Sequence, residues 1–221
     1  YLFKKELDKK FNTKSVVILN PLNKKEIIKK SNNKIKFKFY NKKSLNLINI
    51  ARFTDQKDHL LLLRAVNILK KQMNIKLLIM GYGINKKKIK NYIKLNKLEK
   101  IVKLIGFKKN PYPYLKKSEV FILTSKYEGL PNVLLEALTL KKFIISTDCP
   151  TGPREILKNG KNGELIKVGD LSGLVKKINF YKKNKSFGKK KALNGYLSLK
   201  LYDFNLNCEK YLSIINKVIE K

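Results

Sequence analysis

A chain of 221 residues with 43% hydrophobic content can bury one good core, or one core plus a small appendage. Its net charge of +35 would suit nucleic acid, but of the basic residues only Arg52, Arg64 and Arg154 are arginine, whose fork nucleic-acid readers favour, so a nucleic-acid partner is set aside. No apolar run approaches the roughly 18 to 20 residues of a spanning helix, no signal-peptide stretch opens the chain, and Cys149 and Cys208 cannot make a disulfide framework or a zinc site, so the expected compartment is a reducing cytoplasm. In chain order the pattern predicts a strand at Val16–Leu19, a helix at Lys24–Lys30 and a lysine- and asparagine-rich linker with an edge element from Ser31 to Lys43. There follow strand Leu45–Ile50, helix Lys57–Lys71, strand Lys76–Met80, helix Lys86–Asn96, strand Val102–Ile105 and helix Tyr112–Lys117. Then come strand Val120–Leu123, helix Asn132–Leu140, strand Phe143–Ser146, helix Pro153–Leu157 and strand Glu164–Lys167. Helices Leu171–Tyr181, Lys189–Leu199 and Phe204–Glu220 close the chain. Strands alternating with helices predict an α/β fold, a Rossmann-like parallel sheet with helices on both faces and a helical tail.

The stretch from Phe121 to Leu138 carries the chemistry. A short apolar strand runs into a loop holding Glu128, and Pro131 stands where a helix should begin, its fixed φ suiting that position. Val133, Leu134, Leu135, Ala137 and Leu138 surround Glu136, so the helix is a buried one. A carboxylate there is costly unless something hydrogen-bonds it. Helical side chains lean toward the N-terminus, so Glu136 aims at whatever the helix start holds. Helix starts hold anions. Phosphate at the helix tip with a carboxylate nearby to accept hydroxyls describes a nucleotide-sugar site.

Glu128-Gly129-Leu130-Pro131-Asn132 followed by Glu136-Ala137 after a strand resembles the signature of retaining family 4 glycosyltransferases, which have two facing Rossmann-like domains, the GT-B architecture. Other segments resemble the family in the expected order: Asn49-Ile-Ala-Arg52 with Gln56-Lys57-Asp58-His59, Leu77-Leu-Ile-Met-Gly81-Tyr-Gly83, Val102-Lys-Leu-Ile-Gly106-Phe107, Asp148-Cys-Pro-Thr-Gly152-Pro-Arg-Glu155 and Asn159-Gly-Lys-Asn-Gly163. The resemblance covers about residues 15 to 180. Ser15 to Pro21 looks like the last strand of the family's N-terminal domain. The expected organisation is therefore a remnant of that domain and a linker at 1–43, a nucleotide-sugar-binding Rossmann-like domain at 44–182 and a helical tail at 183–221, together the C-terminal, donor-binding half, with an N-terminal half on another chain as an expected partner.

The resemblance implies a donor nucleoside-diphosphate sugar, a UDP-sugar first, transferred with retention to a cell-surface polysaccharide or lipid-linked saccharide, as hexosyl or N-acetylhexosaminyl transfer. It implies no cofactor and no metal, and the chain contains no Asp-x-Asp. Arg52 and Lys57 would grip the diphosphate and stabilise the charge growing on it. Glu128 would hold sugar hydroxyls and steady the anomeric centre. Glu136 would accept the ribose hydroxyls. Gly129, Leu130, Pro131, Asn132 and Val133 would offer backbone N–H groups, and Phe107 would border the base. Each has a plainer reading: Arg52 and Lys57 paired with Asp55 or Asp58, Glu128 as a loop carboxylate or cap, Glu136 as an exposed helix glutamate. Gly81-Tyr-Gly83 followed by Lys86 is a tight turn rather than a dinucleotide fingerprint. His59 reads as a capping or packing residue, Cys149 as a buried or loop thiol, and Glu155 as a local cap or salt bridge. The lysines read as solvated helix faces, with peripheral attraction to an anionic membrane surface as the sharper alternative. The alternative function is a catalytically inactive donor-binding or assembly module; a basic nucleic-acid binder is a third reading, against which the scarcity of arginine argues.

Overall fold

A computed structural model describes residues 2–220. Six parallel strands form one sheet: β1 (Leu45–Ile50), β2 (Ile75–Met80), β3 (Val102–Ile105), β4 (Val120–Leu123), β5 (Phe143–Thr147) and β6 (Glu164–Ile166). Their order across the sheet is β3-β2-β1-β4-β5-β6. The helices are α1 (Leu2–Phe11), α2 (Lys24–Ser31), α3 (His59–Leu69), α4 (Lys86–Leu95), α5 (Tyr112–Lys117), α6 (Asn132–Thr139), α7 (Gly152–Ile156), α8 (Leu171–Lys183), α9 (Lys185–Ser198) and α10 (Phe204–Ile219).

β4 is wholly apolar, and β1, β2 and β5 are largely so, because both faces of a parallel sheet are covered. Their period of two sends alternate side chains to opposite cores. Leu47, Leu77, Ile79, Val120 and Ile122 pack under α3, α4 and α8, and Ile48, Leu78, Phe121, Leu123 and Ile144 pack under α2, α5, α6 and α7. On α3, Leu62, Leu63, Val66 and Leu69 are fully buried, each worth about 1.5–3 kcal/mol of transfer from water. Carboxylate and amide side chains start several helices: Asn23 accepts from the N–H of Glu26 at 3.0 Å, Asp170 from Gly173 at 2.7 Å and Asp203 from Leu206 at 3.2 Å.

After β3 the chain returns to lay β4 beside β1, reversing the direction of strand addition. Such a reversal leaves a crevice at the C-terminal ends of the two central strands, where ligands bind in open α/β sheets. The loops after β1 and β4 border it.

Three expectations are corrected. Val16–Leu19 is not a strand: it runs extended past α6 and α7 with Val16 69% exposed, and the nearby ladder contact is a single bridge between Leu22 and Asp203. A strand needs a neighbour to take its N–H and C=O groups, and the sheet's edge strands, β3 and β6, are not beside it. The 31–43 segment is irregular past α2 rather than an edge element; Tyr40 anchors it by donating its hydroxyl to the Leu47 carbonyl at 2.5 Å. The helix expected from Lys57 is broken: Asp55–Lys57 is a 3-10 turn, Asp58 is left-handed at φ 40°, and α3 starts at His59. Asp58 makes that break by capping the N–H of Leu61 at 3.2 Å. Helix α1 lies where no element was expected.

Candidate active site

The crevice is built by three loops tied to one another. Thr124, just past β4, donates its hydroxyl to the carbonyls of Lys57 at 2.9 Å and Asp58 at 3.0 Å. The N–H of Lys126 donates to the carbonyl of Gln56, and the Gln56 amide donates to that of Tyr127, both at 2.8 Å. On the other side Glu128 and the loop after β5 exchange main-chain bonds: Glu128 N–H to Pro150 at 2.7 Å and Thr151 N–H to Glu128 at 2.7 Å. Gly152 lies so near that a Cβ there would stand 2.0 Å from the Gly129 carbonyl oxygen. These bonds satisfy loop polar groups that helices and strands would otherwise pair.

The ammonium of Lys57 sits 2.5 Å from Oε1 of Glu128, and Ser125 donates its hydroxyl to the same oxygen at 2.6 Å. The two side chains keep only 14% and 7% of their exposure. Lys57 has three donors, so the pair leaves the ammonium free to hold a further anion.

Helix α6 starts after Pro131, whose side chain cannot cap it, and Pro131 is the N-cap rather than the first helical residue. Val133 packs on the core and Asn132 is exposed at the helix start. One turn further, Glu136 accepts the Tyr112 hydroxyl at 3.2 Å. Burial pushes its carboxyl up to about 6, against the opposing effect of that hydrogen bond. Burial, with the Glu136 charge beside it, pushes the Tyr112 hydroxyl well above the usual phenol range. Glu136 and Asn132 share a cavity of about 180 Å³ with the start of α2. The expectation that something must hydrogen-bond Glu136 has its answer in Tyr112, a residue that no spacing in the sequence connects to it.

Arg52 and Phe107 line a separate cavity of about 190 Å³ at the ends of β1, β2 and β3. Both are exposed, and Tyr82 meets Phe107 edge-on at 5.9 Å. The glycine turn that presents Tyr82 passes against β1: at Gly81, φ 155°, a Cβ would meet the Ala51 carbonyl oxygen at 2.0 Å. Glu128, Gly129 and Leu130 line a third cavity, about 520 Å³, whose far wall is the extended segment Val17 to Asn20. Asn20 donates its amide to Asn132 at 2.7 Å. The structure thus brings Lys57 to Glu128 and sets Glu136 at the helix that follows, while Arg52 lines the cavity of Phe107 rather than that of Glu128. Asp55 does not pair with Arg52; it takes Asn85 and Lys88. Cys149 is buried and its thiol is pushed up by that burial. Among the described residues no cluster of His, Cys, Asp and Glu could hold a metal ion, and no helix is long and apolar enough to cross a membrane.

A family profile, "Glycosyl transferases group 1", matches residues 14–196, an interval that includes every loop just described. The chain belongs to this family. A glycosyltransferase of Methanocaldococcus jannaschii, MJ1059, is 46% identical over 117 residues, 52% of this chain and 29% of that protein. The N-acetylgalactosamine-N,N'-diacetylbacillosaminyl-diphospho-undecaprenol 4-alpha-N-acetylgalactosaminyltransferase of Campylobacter jejuni is 36% identical over 128 residues, 58% of this chain and 34% of that protein. The matched part of this glycosyltransferase chain therefore spans about a third of these relatives. A structure of Staphylococcus aureus TarM with fondaparinux, alpha-GlcNAc-glycerol and UDP superposes with a TM-score of 0.80 at 24% identity, over 96% of this chain and 42% of that one. The shared architecture is the GT-B type, with this chain's six-stranded parallel sheet covered on both faces.

Proposed function

We propose that this chain is the donor-binding, C-terminal part of a retaining GT-B glycosyltransferase that takes a UDP-sugar and delivers the sugar to a saccharide or lipid-linked acceptor. The observation that carries the reading is the pair of carboxylates flanking the start of α6: Glu128, held by Lys57 and Ser125, and Glu136, held by Tyr112. In this reading the diphosphate lies at the uncapped start of α6, where the helix dipole favours negative charge. Lys57, with donors to spare, reaches it from the Glu128 side and Arg52 from the side of the base, and the two stabilise the charge that grows as the sugar leaves. Glu136 accepts the ribose hydroxyls, and Tyr82 with Phe107 borders the base. Glu128 holds the sugar in the cavity walled by Val17 to Asn20. No metal is assigned a role. The UDP in the TarM complex and the undecaprenol-linked acceptor in the Campylobacter enzyme's name fit this donor and acceptor class.

An acceptor has to be held in line with the anomeric carbon, and such positioning is worth many powers of ten. We assign that task to a facing N-terminal half, on this or another polypeptide. Tyr211, Leu212, Ile215, Val218 and Ile219 form an exposed apolar stripe at helical spacing on α10 that such a half would cover. The enzyme would act at the cytoplasmic face of the membrane, its lysines drawn to anionic lipid. Calorimetry with UDP and GDP tests the donor site: weak, saturable UDP binding is expected, and a folded chain that binds neither overturns the reading. A radiolabelled-donor assay with and without a facing half tests the division of labour, transfer being expected only with it.

A further inference from the structure

The cavity of about 520 Å³ beside Glu128 lies between two walls that the protein holds in place. One is the segment Val17 to Asn20, tied down on both sides. Before it, the Ser15 N–H and hydroxyl donate to Asp8 at 2.8 Å and 2.6 Å, and the Lys4 ammonium donates to the Ser15 carbonyl at 2.6 Å. At its end Asn20 reaches Asn132, and the N–H of Leu22 donates to the Tyr202 carbonyl at 2.8 Å. The other wall is the Glu128 loop, fixed by its main-chain bonds to Pro150 and Thr151.

Most of the lining is apolar: Val17, Ile18 and Leu19 on the first wall, Leu130 and Pro150 on the side of Glu128. Val17 and Ile18 are half-buried yet pack against neither core, so folding alone does not explain their side chains. The polar side chains are few and already engaged. One oxygen of Glu128 takes Lys57 and Ser125, Asn20 gives an N–H to Asn132, and Glu155 has a partner within the protein. Thr151 adds a hydroxyl, both donor and acceptor. A plain hexose carries hydroxyls around its ring, and each one turned to an apolar wall loses its water without replacement. A sugar in which an acetamido group replaces one hydroxyl suits these walls better. Its methyl leaves water for apolar surface, and its N–H or C=O has the Thr151 hydroxyl in the same cavity.

We propose that the donor sugar is an N-acetylhexosamine whose acetyl methyl seats on Val17, Ile18 and Leu19, an assignment that rests on the UDP-sugar reading of the site.

Calorimetry of the intact chain compares UDP-glucose with UDP-N-acetylglucosamine, and UDP-galactose with UDP-N-acetylgalactosamine, with bare UDP as the reference. Each pair differs only in the substituent at one ring carbon. At least one N-acetyl donor is expected to bind about fourfold or more tighter than its hexose counterpart, the worth of one methyl-sized group moved from water to apolar surface. Val17→Asn and Ile18→Asn, both outside the cores, are each expected to bring that ratio toward one, and either suffices should the other fail to fold. Val16→Asn, exposed and off the cavity, is expected to leave the ratio as it is. In a chain with labelled isoleucine methyls, the bound N-acetyl donor should show a nuclear Overhauser contact between its acetyl methyl and Ile18. Equal affinities within both pairs, a tighter hexose, or absence of the Ile18 contact overturns the proposal and leaves the donor site standing. So does a preference that survives both wall variants or is lost equally in Val16→Asn. Failure of bare UDP to bind overturns the donor reading itself, and the proposal with it.

Discussion

Lys57 and Glu128 lie 71 residues apart in the chain and meet at 2.5 Å, their side chains almost wholly covered. The pair joins the loop after β1 to the loop after β4 across the switch point of the sheet. Removing one partner leaves the other charge in a poorly solvated place, which costs more than the pair contributes. Lys57→Met is expected to destabilise the fold by about 1–3 kcal/mol. Adding Glu128→Gln should recover part of that loss. Urea unfolding of the single and double variants measures both; identical midpoints for wild type and Lys57→Met would show the pair to be energetically idle.

The carboxylates on either side of the α6 start should separate in function. Glu136→Ala is expected to weaken UDP binding by roughly 1.5–3 kcal/mol, the usual worth of a charge-assisted hydrogen bond. Glu128→Ala should change UDP affinity little, because its assigned contact is with the sugar. Titration calorimetry with the bare nucleotide discriminates between them, and unchanged affinity in Glu136→Ala would remove Glu136 from the ribose.

Glu136 also predicts a pH dependence. Its carboxyl is raised from 4.5 to about 6 by burial. An acid whose folded pKa lies above its unfolded value binds its proton more tightly in the folded state. Its stabilising contribution is therefore complete below about 4.5 and is lost as pH rises through about 6. The loss corresponds to about 2 kcal/mol at most. Glu136→Gln, which stays neutral, should match wild type near pH 4 and exceed its stability at pH 7.5. Thermal unfolding across that range checks the sign; a difference that does not change with pH would contradict it.

Gly152 tests the contact between the loops after β4 and β5. A Cβ at that position would meet the Gly129 carbonyl oxygen at 2.0 Å and Pro131 Cδ at 2.8 Å, the first of them backbone that cannot yield cheaply. Gly152→Ala is expected to cost on the order of 2 kcal/mol of stability and to weaken UDP binding, because the displaced segment is the start of α6. Thermal melts with and without UDP read both effects.

Much of this fold was legible before any coordinates. Leu45–Ile50, Val102–Ile105 and Val120–Leu123 are strands with the bounds their apolar runs suggest. A run that must be buried on both faces has few other places to go. The carboxylate in α6 was legible as an anomaly, since an acid among Leu134, Leu135, Ala137 and Leu138 demands a partner. What failed, failed for want of neighbours. Val16–Leu19 has the composition of a strand, but no edge lies beside it, and the same residues became a cavity wall. The Asp58 break was hidden because a left-handed aspartate that caps its own helix leaves no mark on hydrophobic period.

By itself the sequence determined the alternation of strands and helices, the two apolar faces and the motif around Glu128 and Glu136. These follow from local period and residue type, which each segment carries alone. Only the tertiary structure decided that β4 lies against β1, that Lys57 turns to Glu128 while Arg52 lines the cavity of Phe107, and that Tyr112 reaches Glu136. It also decided that His59 lies buried edge-on to Phe53, its ring nitrogens without a hydrogen-bond partner among the described residues. Those contacts join segments distant in the chain, where no local spacing encodes the meeting, and packing of the whole sheet settles which loops share a crevice.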